Sequence, residues 1–390
     1  MIHIYILAFI GVVLLVFIGY DLVKGIYLWE KRIHIGRWND LDEWECSVSD
    51  VVKKWLIHTP VVKKTDQSRY LLWDKLRGEY KVDTIQIWQE AGLLWGVEMM
   101  KDTPKIKSYL FKVFDYTHGG WNKKPQNIDA GLLGYVVLQF ADKNEIQLLK
   151  PAMDYLYQLI LSHKDKDTIC YRKSLSYVRF VDTLGFICPF LILYGVMYNL
   201  KDAIDLGIRQ LEEYDIALLP NGIPCHAFDI EKNLPLGVYD WGRGCGWYIL
   251  ALVESYRMVD RFNISQSLQR KLQSRILNLS EVMLSFQLSQ GGYNAMLFSR
   301  NGSSESSITV FGGILMCQAW IFTKKEGYKL CLEGCIKQLM KATQRNGCID
   351  YCQGDTKGIG AYSFLYSYMP FVQGMTLVLL KRYKEINEDA

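Results

Sequence analysis

Residues 238–254 read VYDWGRGCGWYILALVE, and the interpretation of this stretch decides the fold. Trp241, Arg243 and Trp247 alternate with Gly242, Gly244 and Gly246, and an apolar run long enough to start a buried helix follows. The glycines read as permissive positions at the mouth of that helix. An arginine between glycines can approach a ligand closely and grip a carboxylate through two hydrogen bonds. Trp241 and Trp247 offer flat faces to the C–H faces of a sugar. The structural alternative is that both tryptophans are core and that Arg243 pairs with Asp240. GRGCG is not a phosphate loop, because no strand precedes it and the Lys-Ser/Thr element is absent.

Outward from this stretch the same rhythm continues. Residues 88–97, 131–140, 152–162, 186–200, 247–256, 268–288, 310–323 and 328–342 are apolar-rich segments of helix length. HGGWNKKPQN, NGIPCHAFD, SQGGYN, RNGSSES and CQGDTKGIG punctuate them. Strand signals are few. The pattern predicts an all-α domain from about residue 43, a closed ring of helical hairpins with buried inner helices and a cleft at one end. About 340 residues shared among twelve helices leave roughly 28 per helix and loop, in line with ordinary lengths. A stacked solenoid is the competitor, but no fixed period supports it.

Four further groups sit in loops or at helix starts. Asn127-Ile128-Asp129 precedes GLLGYVVLQF, where Asp129 either caps a helix or faces a ligand. Asp182 is flanked by Phe180, Val181, Leu184, Phe186 and Ile187. Ionisation in such a setting is costly, so its pKa should rise, which suits a general acid; helix capping is the alternative. His226 lies in the Gly/Pro loop PCHAFD, with a structural or surface role as its default. Glu305 and Ser306, within Ser303–Ser307, can satisfy helix amides or bind a polar ligand. Acids, an arginine, a histidine and aromatics gathered at helix N-termini suggest a cleft for an acidic carbohydrate.

Residues 2–20, IHIYILAFIGVVLLVFIGY, carry no charge when His3 is neutral and are long enough to span a bilayer. The basic start and cleavage site of a signal peptide are missing. Lys24, Lys31, Arg32 and Arg37 follow, which places the rest of the chain in the cytoplasm by the positive-inside rule. An atypical export signal, with the domain outside, is the alternative. The expected organisation is a single-pass anchor over 1–22, a juxtamembrane linker over 23–42 and one helical domain over 43–390. Half of the 390 residues are apolar and 13% aromatic, which excludes general disorder. A net charge of +4 without a Lys/Arg block argues against a nucleic-acid partner. The ten cysteines form no CxxC pair. Cys331/Cys335 and Cys348/Cys352 raise a four-thiolate zinc site, but the spacing is wrong for common zinc knuckles, and buried free thiols on helices are expected instead. Neither a metal nor a cofactor is expected.

The order and spacing of NID at 127–129, VDTLGFICPFL at 181–191, HAFD at 226–229, WGRGCGWYILALVE at 241–254 and SSESSITVFGGIL from Ser303 resemble the unsaturated rhamnogalacturonyl hydrolases of glycoside hydrolase family 105 and the related unsaturated glucuronyl hydrolases of family 88. The resemblance runs from about Asp83 to the C-terminus, and WxRGxGW is its most specific element. It implies an (α/α)6 barrel that removes a 4,5-unsaturated uronic acid from an oligosaccharide end. It puts the essential acid on Asp182, a second acid on Asp129, and the lining of the sugar site on His226, Trp241, Arg243 and Trp247, with Glu305 and Ser306 beside them. The implied chemistry is hydration of a vinyl ether, with Asp182 protonating C4 and then serving as base for water at C5. The chain departs from the family in its apparent anchor, in having no histidine to align around Tyr171, and in Cys245 between glycines. Other readings are a different carbohydrate-active enzyme on the same barrel, such as an epimerase or conventional glycosidase, and a non-catalytic glycan-binding protein of polysaccharide assembly.

Overall fold

A computed structural model describes residues 1–62, 71–77, 85–299, 301–302, 304–356 and 358–388. Helix α1 (Ile2–Arg32) is followed by α2 (Leu41–Ile57) and the short α3 (Leu71–Leu76). Then come α4 (Gln86–Met100), α5 (Thr103–Val113), α6 (Ala130–Phe140), α7 (Lys143–Leu148), α8 (Lys150–Leu161), α9 (Val181–Met197) and α10 (Lys201–Glu213). The chain continues through α11 (Gly242–Arg261), α12 (Gln266–Phe286), α13 (Ser306–Thr323), α14 (Glu326–Lys341) and α15 (Pro370–Glu388). Helices α4, α6, α9, α11, α13 and α15 each pack on the next, and α15 closes on α4. Helices α2, α5, α8, α10, α12 and α14 pack outside this ring. The result is the closed (α/α)6 barrel, and a closed ring is incompatible with a solenoid.

Composition explains who stands inside. The inner helices α6, α9 and α13 are apolar on every face and almost wholly buried, as a helix enclosed on all sides must be. The outer α10 is amphipathic, burying only Ala203, Leu206, Gly207, Gln210 and Leu211. Glycine lets α4 and α15 close the ring. A methyl group on Gly92 would stand 2.6 Å from the Phe371 ring, and one on Gly96 2.8 Å from Gly374.

The inner helices share one direction. Their first turns meet: Phe371 N donates to Gln89 Oε1 at 2.8 Å, a side chain at Gly131 would strike the Phe186 carbonyl, and one at Gly185 would strike Trp247. The N-termini of the inner helices therefore gather at one end of the barrel, where the residues singled out above also lie. The opening stretch needs a correction here. Helix α11 begins at Gly242, five residues earlier than expected, so GRGCG is its first turn and not a flexible loop. None of its glycines takes a positive φ. They make room instead: a Cβ at Gly244 would lie 2.6 Å from the Trp241 ring and 3.1 Å from Val181, and one at Gly246 would enter the Phe311 ring.

Helix α1 runs unbroken to Arg32, past the expected anchor span 1–22 and through half of the expected linker. It is long and apolar enough to cross a membrane, by length and composition. Helix α13 passes the same test, but it is the buried inner helix. All ten cysteines are free thiols, buried except Cys46. Cys348 and Cys352 lie outside the helices. Among the described residues no group of three or more His, Cys, Asp or Glu side chains could hold a metal.

Candidate active site

A small sheet sets the geometry. The strands Val178–Phe180, Ala227–Asp229 and Leu234–Leu236 pair antiparallel, with Phe180 opposite Ala227. Phe180 leads directly into α9, so Asp182 sits in that helix's first turn, and His226 sits just before its own strand. Val181 N donates to His226 O at 3.0 Å, which fixes the two segments side by side. Their side chains face each other: His226 Nε2 lies 3.8 Å from Asp182 Oδ2. Phe180, not Asp182, occupies the cap position of α9, so the carboxyl is not consumed as a cap.

Asp182 retains 18% side-chain exposure, enough to meet a ligand from an otherwise enclosed position. Burial raises its pKa to about 7, the neighbouring Asp355 carboxylate adds to the rise, and Arg243 and Arg172 only partly oppose it. His226 goes the other way. Burial, aided by Arg172, lowers its pKa to about 4, so the imidazole is neutral near pH 7. Its Nδ1 lies 3.0 Å from the Tyr362 hydroxyl, which itself accepts from Val238 N at 3.3 Å. With Tyr362 donating to Nδ1, the ring proton sits on Nε2, directed at Asp182. The imidazole also packs on Trp241 at 4.5 Å between ring centroids.

Asp129, Asp182 and Asp355 all act electrostatically on the Tyr171 phenol and, with burial as the larger cause, raise its pKa well above the usual tyrosine value. The Tyr171 ring lies on Phe186 at 6.2 Å. Three acids thus converge around one tyrosine. Asp129 stands at the cap position of α6 but makes no side-chain cap bond, so capping does not account for it. Beside it runs a groove of about 490 Å³ lined in part by Gln86, Trp121, Asn127, Lys112, Lys123 and Lys124.

Four expected ligand residues have internal duties. Arg243 is 2% exposed and donates to Ser307 Oγ at 3.2 Å, to Gly354 O at 3.3 Å and to Gln353 O; Glu305 Oε1 lies 3.8 Å away. It shares the neighbourhood of Asp182, but its hydrogen bonds serve the wall, and Asp240 is not its partner. Glu305 caps α13 by accepting from Ile308 N at 2.9 Å, and it also accepts from Ser307 Oγ at 2.6 Å and Gln353 N at 2.8 Å. Ser306 Oγ donates to Asp350 O at 2.6 Å. Trp247 is core, against Phe186, Trp88, Phe311 and Phe371. Glu305 thus caps a helix and Trp247 lies in the core, while Arg243 braces the wall instead of pairing with Asp240. Ser303 and Asp83 lie outside the described residues. Trp241 is also buried, with Nε1 donating to Gln353 Oε1 at 3.1 Å, but it backs His226 directly.

The sequence reading missed Asp355, Tyr362 and Arg172, and named Tyr171 only for lacking a histidine. The signal for Asp355 was an acid in the glycine-rich CQGDTKGIG, which was taken only as punctuation.

Known proteins share both pattern and fold. The family model Glycosyl Hydrolase Family 88 matches residues 52–382. No curated protein matches the sequence. Among solved structures, a possible member of glycoside hydrolase family 105 from Salmonella enterica subsp. enterica serovar Paratyphi A superposes with a TM-score of 0.72 at 15% identity, covering 90% of this chain and 96% of that one. An unsaturated glucuronyl hydrolase specific for heparin gives 0.63 at 14% identity, covering 89% and 98%. The unsaturated glucuronyl hydrolase of Bacillus sp. GL1 gives 0.59 at 12% identity, covering 86% and 94%.

Proposed function

The chain belongs to glycoside hydrolase family 88, and from that premise we propose that it removes a 4,5-unsaturated uronic acid from the end of an acidic oligosaccharide, with Asp182 as general acid and base. The observation that carries this reading is the state of Asp182: a ligand-accessible carboxyl raised to about 7 beside a neutral His226. Such a group is protonated near neutral pH and can give its proton up.

The steps balance. Asp182 donates its proton to C4 of the unsaturated ring, and the double-bond electrons form the new C–H bond. Positive charge develops at C5 and the ring oxygen. The Asp182 carboxylate then takes a proton from water as that water bonds to C5, which restores the acid. The resulting hemiketal opens and releases the neighbouring sugar. No acid pair attacks the anomeric carbon, unlike ordinary glycoside hydrolysis. Asp355 places negative charge beside Asp182, which favours its protonated form and steadies the cation that forms after transfer, and Asp129, which acts with both on Tyr171, is assigned to positioning the sugar. We assign His226, 3.8 Å from Asp182, and Tyr171 to the lining that holds the sugar.

The groove beside Asp129 supports an acidic substrate. Of the two acids that line it, Asp129 is buried and the half-buried Glu90 is raised by burial and accepts from the Tyr109 hydroxyl at 2.9 Å, whereas Lys112, Lys123 and Lys124 are exposed. We assign this groove to the leaving part of the oligosaccharide. We further propose that α1 is a single-pass anchor with the barrel on the cytoplasmic side. Its contacts fall on segments that lead into inner-helix N-termini: Asp21 Oδ1 accepts from Leu72 N at 3.2 Å, Lys31 Nζ lies 5.9 Å from the Tyr368 ring centroid, and Arg32 binds Asp350. An anchored chain would therefore present its cleft to the bilayer surface.

The test is a panel of lyase-generated unsaturated oligosaccharides. Wild type should abolish their ultraviolet absorbance and Asp182→Asn should not, with its circular dichroism unchanged. Turnover of saturated substrates alone would replace this reading with a conventional glycosidase or epimerase. An unaltered rate in Asp182→Asn would remove the assigned acid.

A further inference from the structure

The residue on α1 that the site does not obviously need is also the best connected. Arg32 Nε donates to Asp350 Oδ2 at 2.9 Å and its Nη2 to Asp350 Oδ1 at 2.7 Å, a two-pronged pair across 318 residues. The same Nη2 donates to Tyr366 O at 2.8 Å, and the guanidinium lies 4.6 Å from the Tyr351 ring centroid. The Asp350 side chain is fully buried, and it also accepts from Gln344 Nε2 at 2.7 Å.

Asp350 begins the segment that builds the site wall. Its carbonyl accepts from Ser306 Oγ, and the Tyr351 carbonyl accepts from Ser306 N at 3.1 Å. Tyr351 itself holds a left-handed backbone with φ of 57°, a conformation that a non-glycine residue keeps only under constraint. Gln353 N donates to Glu305, its carbonyl accepts from Arg243, and its side chain accepts from Trp241. Asp355 follows and presses electrostatically on Asp182. We propose that Arg32 is a positioning residue for the active site: its fork on Asp350, its bond to Tyr366 and its stacking on Tyr351 hold residues 350–355 so that Asp355 stands against Asp182. The helix read as the anchor is then a working part of the site. This rests on the role assigned to Asp182, but one of its tests does not need turnover.

The charged and titratable groups facing Asp182 are Asp355, Arg243, Arg172, His226, Tyr171, Tyr214 and Tyr362. Only Asp355 belongs to the segment that Arg32 grips through Asp350. Arg243 also leans on that segment, at Gln353 and Gly354, but Ser307 holds it as well; loosening the segment should therefore ease the repulsion from Asp355 while Arg243 keeps its Ser307 bond.

The experiment uses the full-length protein in detergent, as wild type, Arg32→Met and Arg32→Lys. On an unsaturated uronide, Arg32→Met should lose roughly tenfold in kcat per folded molecule with KM little changed. The alkaline limb of its kcat profile should shift down by about half a pH unit. Arg32→Lys keeps the charge without the fork and should fall between, which also covers a failure of Arg32→Met to fold. The turnover-free arm compares the pH dependence of Tm in wild type, Asp182→Asn, Arg32→Met and the double variant. The gain in Tm that Asp182→Asn confers at pH 8 should shrink in the Arg32→Met background. A lower Tm with an unmoved alkaline limb and an undiminished Asp182→Asn gain would make Arg32 a structural clamp only and overturn the proposal. If no unsaturated uronide is turned over but the Tm coupling appears, the assigned reaction fails while the positioning of Asp182 stands.

Discussion

Two acids are shut inside this barrel and held in opposite states. Asp182, where the inner helices begin, is raised to about 7 by burial and by Asp355. Glu254, farther along α11, is fully buried between α6 and α15. Burial pushes it up as well, but Arg382, Arg257 and the Tyr135 hydroxyl pull it below the ordinary glutamate value. Arg382 Nη2 donates to one oxygen of Glu254 at 2.6 Å and Tyr135 OH to the other at 2.7 Å. Burial alone does not separate the two carboxyls. What separates them is whether a cation is committed to the group. Arg243, which shares the neighbourhood of Asp182, is committed to backbone carbonyls instead, and that leaves Asp182 reluctant to ionise.

The largest effect expected from breaking this contrast is at Asp182. Asp182→Asn should cost about 10⁴-fold in kcat on an unsaturated uronide, the upper range for general acid–base catalysis, because one group serves both steps. The same change should stabilise the fold. A carboxyl whose folded pKa lies above its unfolded value binds more protons in the native state, so stability is lost as pH rises from about 4 through 7. A rise from 3.8 to about 7 corresponds to at most about 4 kcal/mol. Thermal melts at pH 8 should show the variant above wild type, and a lower Tm would show that Asp182 is not held in its protonated form.

Glu254 should behave in reverse. Arg382→Met strands a buried carboxylate and should destabilise by about 3–5 kcal/mol in denaturant titrations, while kcat per folded molecule stays within about twofold. Its folded pKa is lowered, so the stability it contributes is present above its unfolded value of 4.5 and disappears as pH falls through the depressed value. Wild type should therefore weaken on both sides, through Glu254 in acid and through Asp182 toward neutrality. Asp182→Asn should flatten only the neutral slope. If it flattens the acid slope instead, the two roles have been exchanged.

A smaller change sharpens the site half of the comparison. With Asp182 as the obligatory acid, kcat should fall about tenfold per pH unit above about 7. His226→Asn should leave the position of that limb nearly unchanged, because a neutral imidazole carries no charge to remove. A shift of a full unit would mean that the histidine is charged in the working enzyme.

The barrel was legible because inner helices such as α6, α9 and α13 are apolar on every face and alternate with loops, a pattern that few architectures accommodate. The reluctance of Asp182 to ionise was legible because its apolar neighbours adjoin it in sequence. The wall contacts of Glu305, Ser306 and Arg243 were not, because an acid, a hydroxyl or an arginine at a helix start looks the same whether or not it braces a wall. Their partners come from residues 350–354, 44 to 111 positions away. The glycines of GRGCG misled for a related reason. They permit a loop, but Asn294, Val181 and Phe311 pressing on them demand a closely packed helix.

The smallest expected effect concerns cations left uncommitted. Arg243 and Arg382 are spent inside the protein, whereas Lys112, Lys123 and Lys124 line the groove beside Asp129 and remain exposed. Lys124 Nζ lies 5.0 Å from the Tyr155 ring centroid, which steadies one of them. Exposed ammonium groups attract an anion only modestly and are screened by salt. Replacing all three with serine should lower kcat/KM roughly tenfold for an unsaturated disaccharide whose leaving sugar carries sulfate or carboxylate. Most of that loss should appear in KM, and added salt should shrink it. A neutral leaving sugar should be handled by the variant as by wild type, because the chemistry at Asp182 is untouched. Equal losses on neutral and anionic leaving groups would mean that the lysines hold the 122–127 loop in place, and the groove would then belong with Glu254 on the structural side of the comparison.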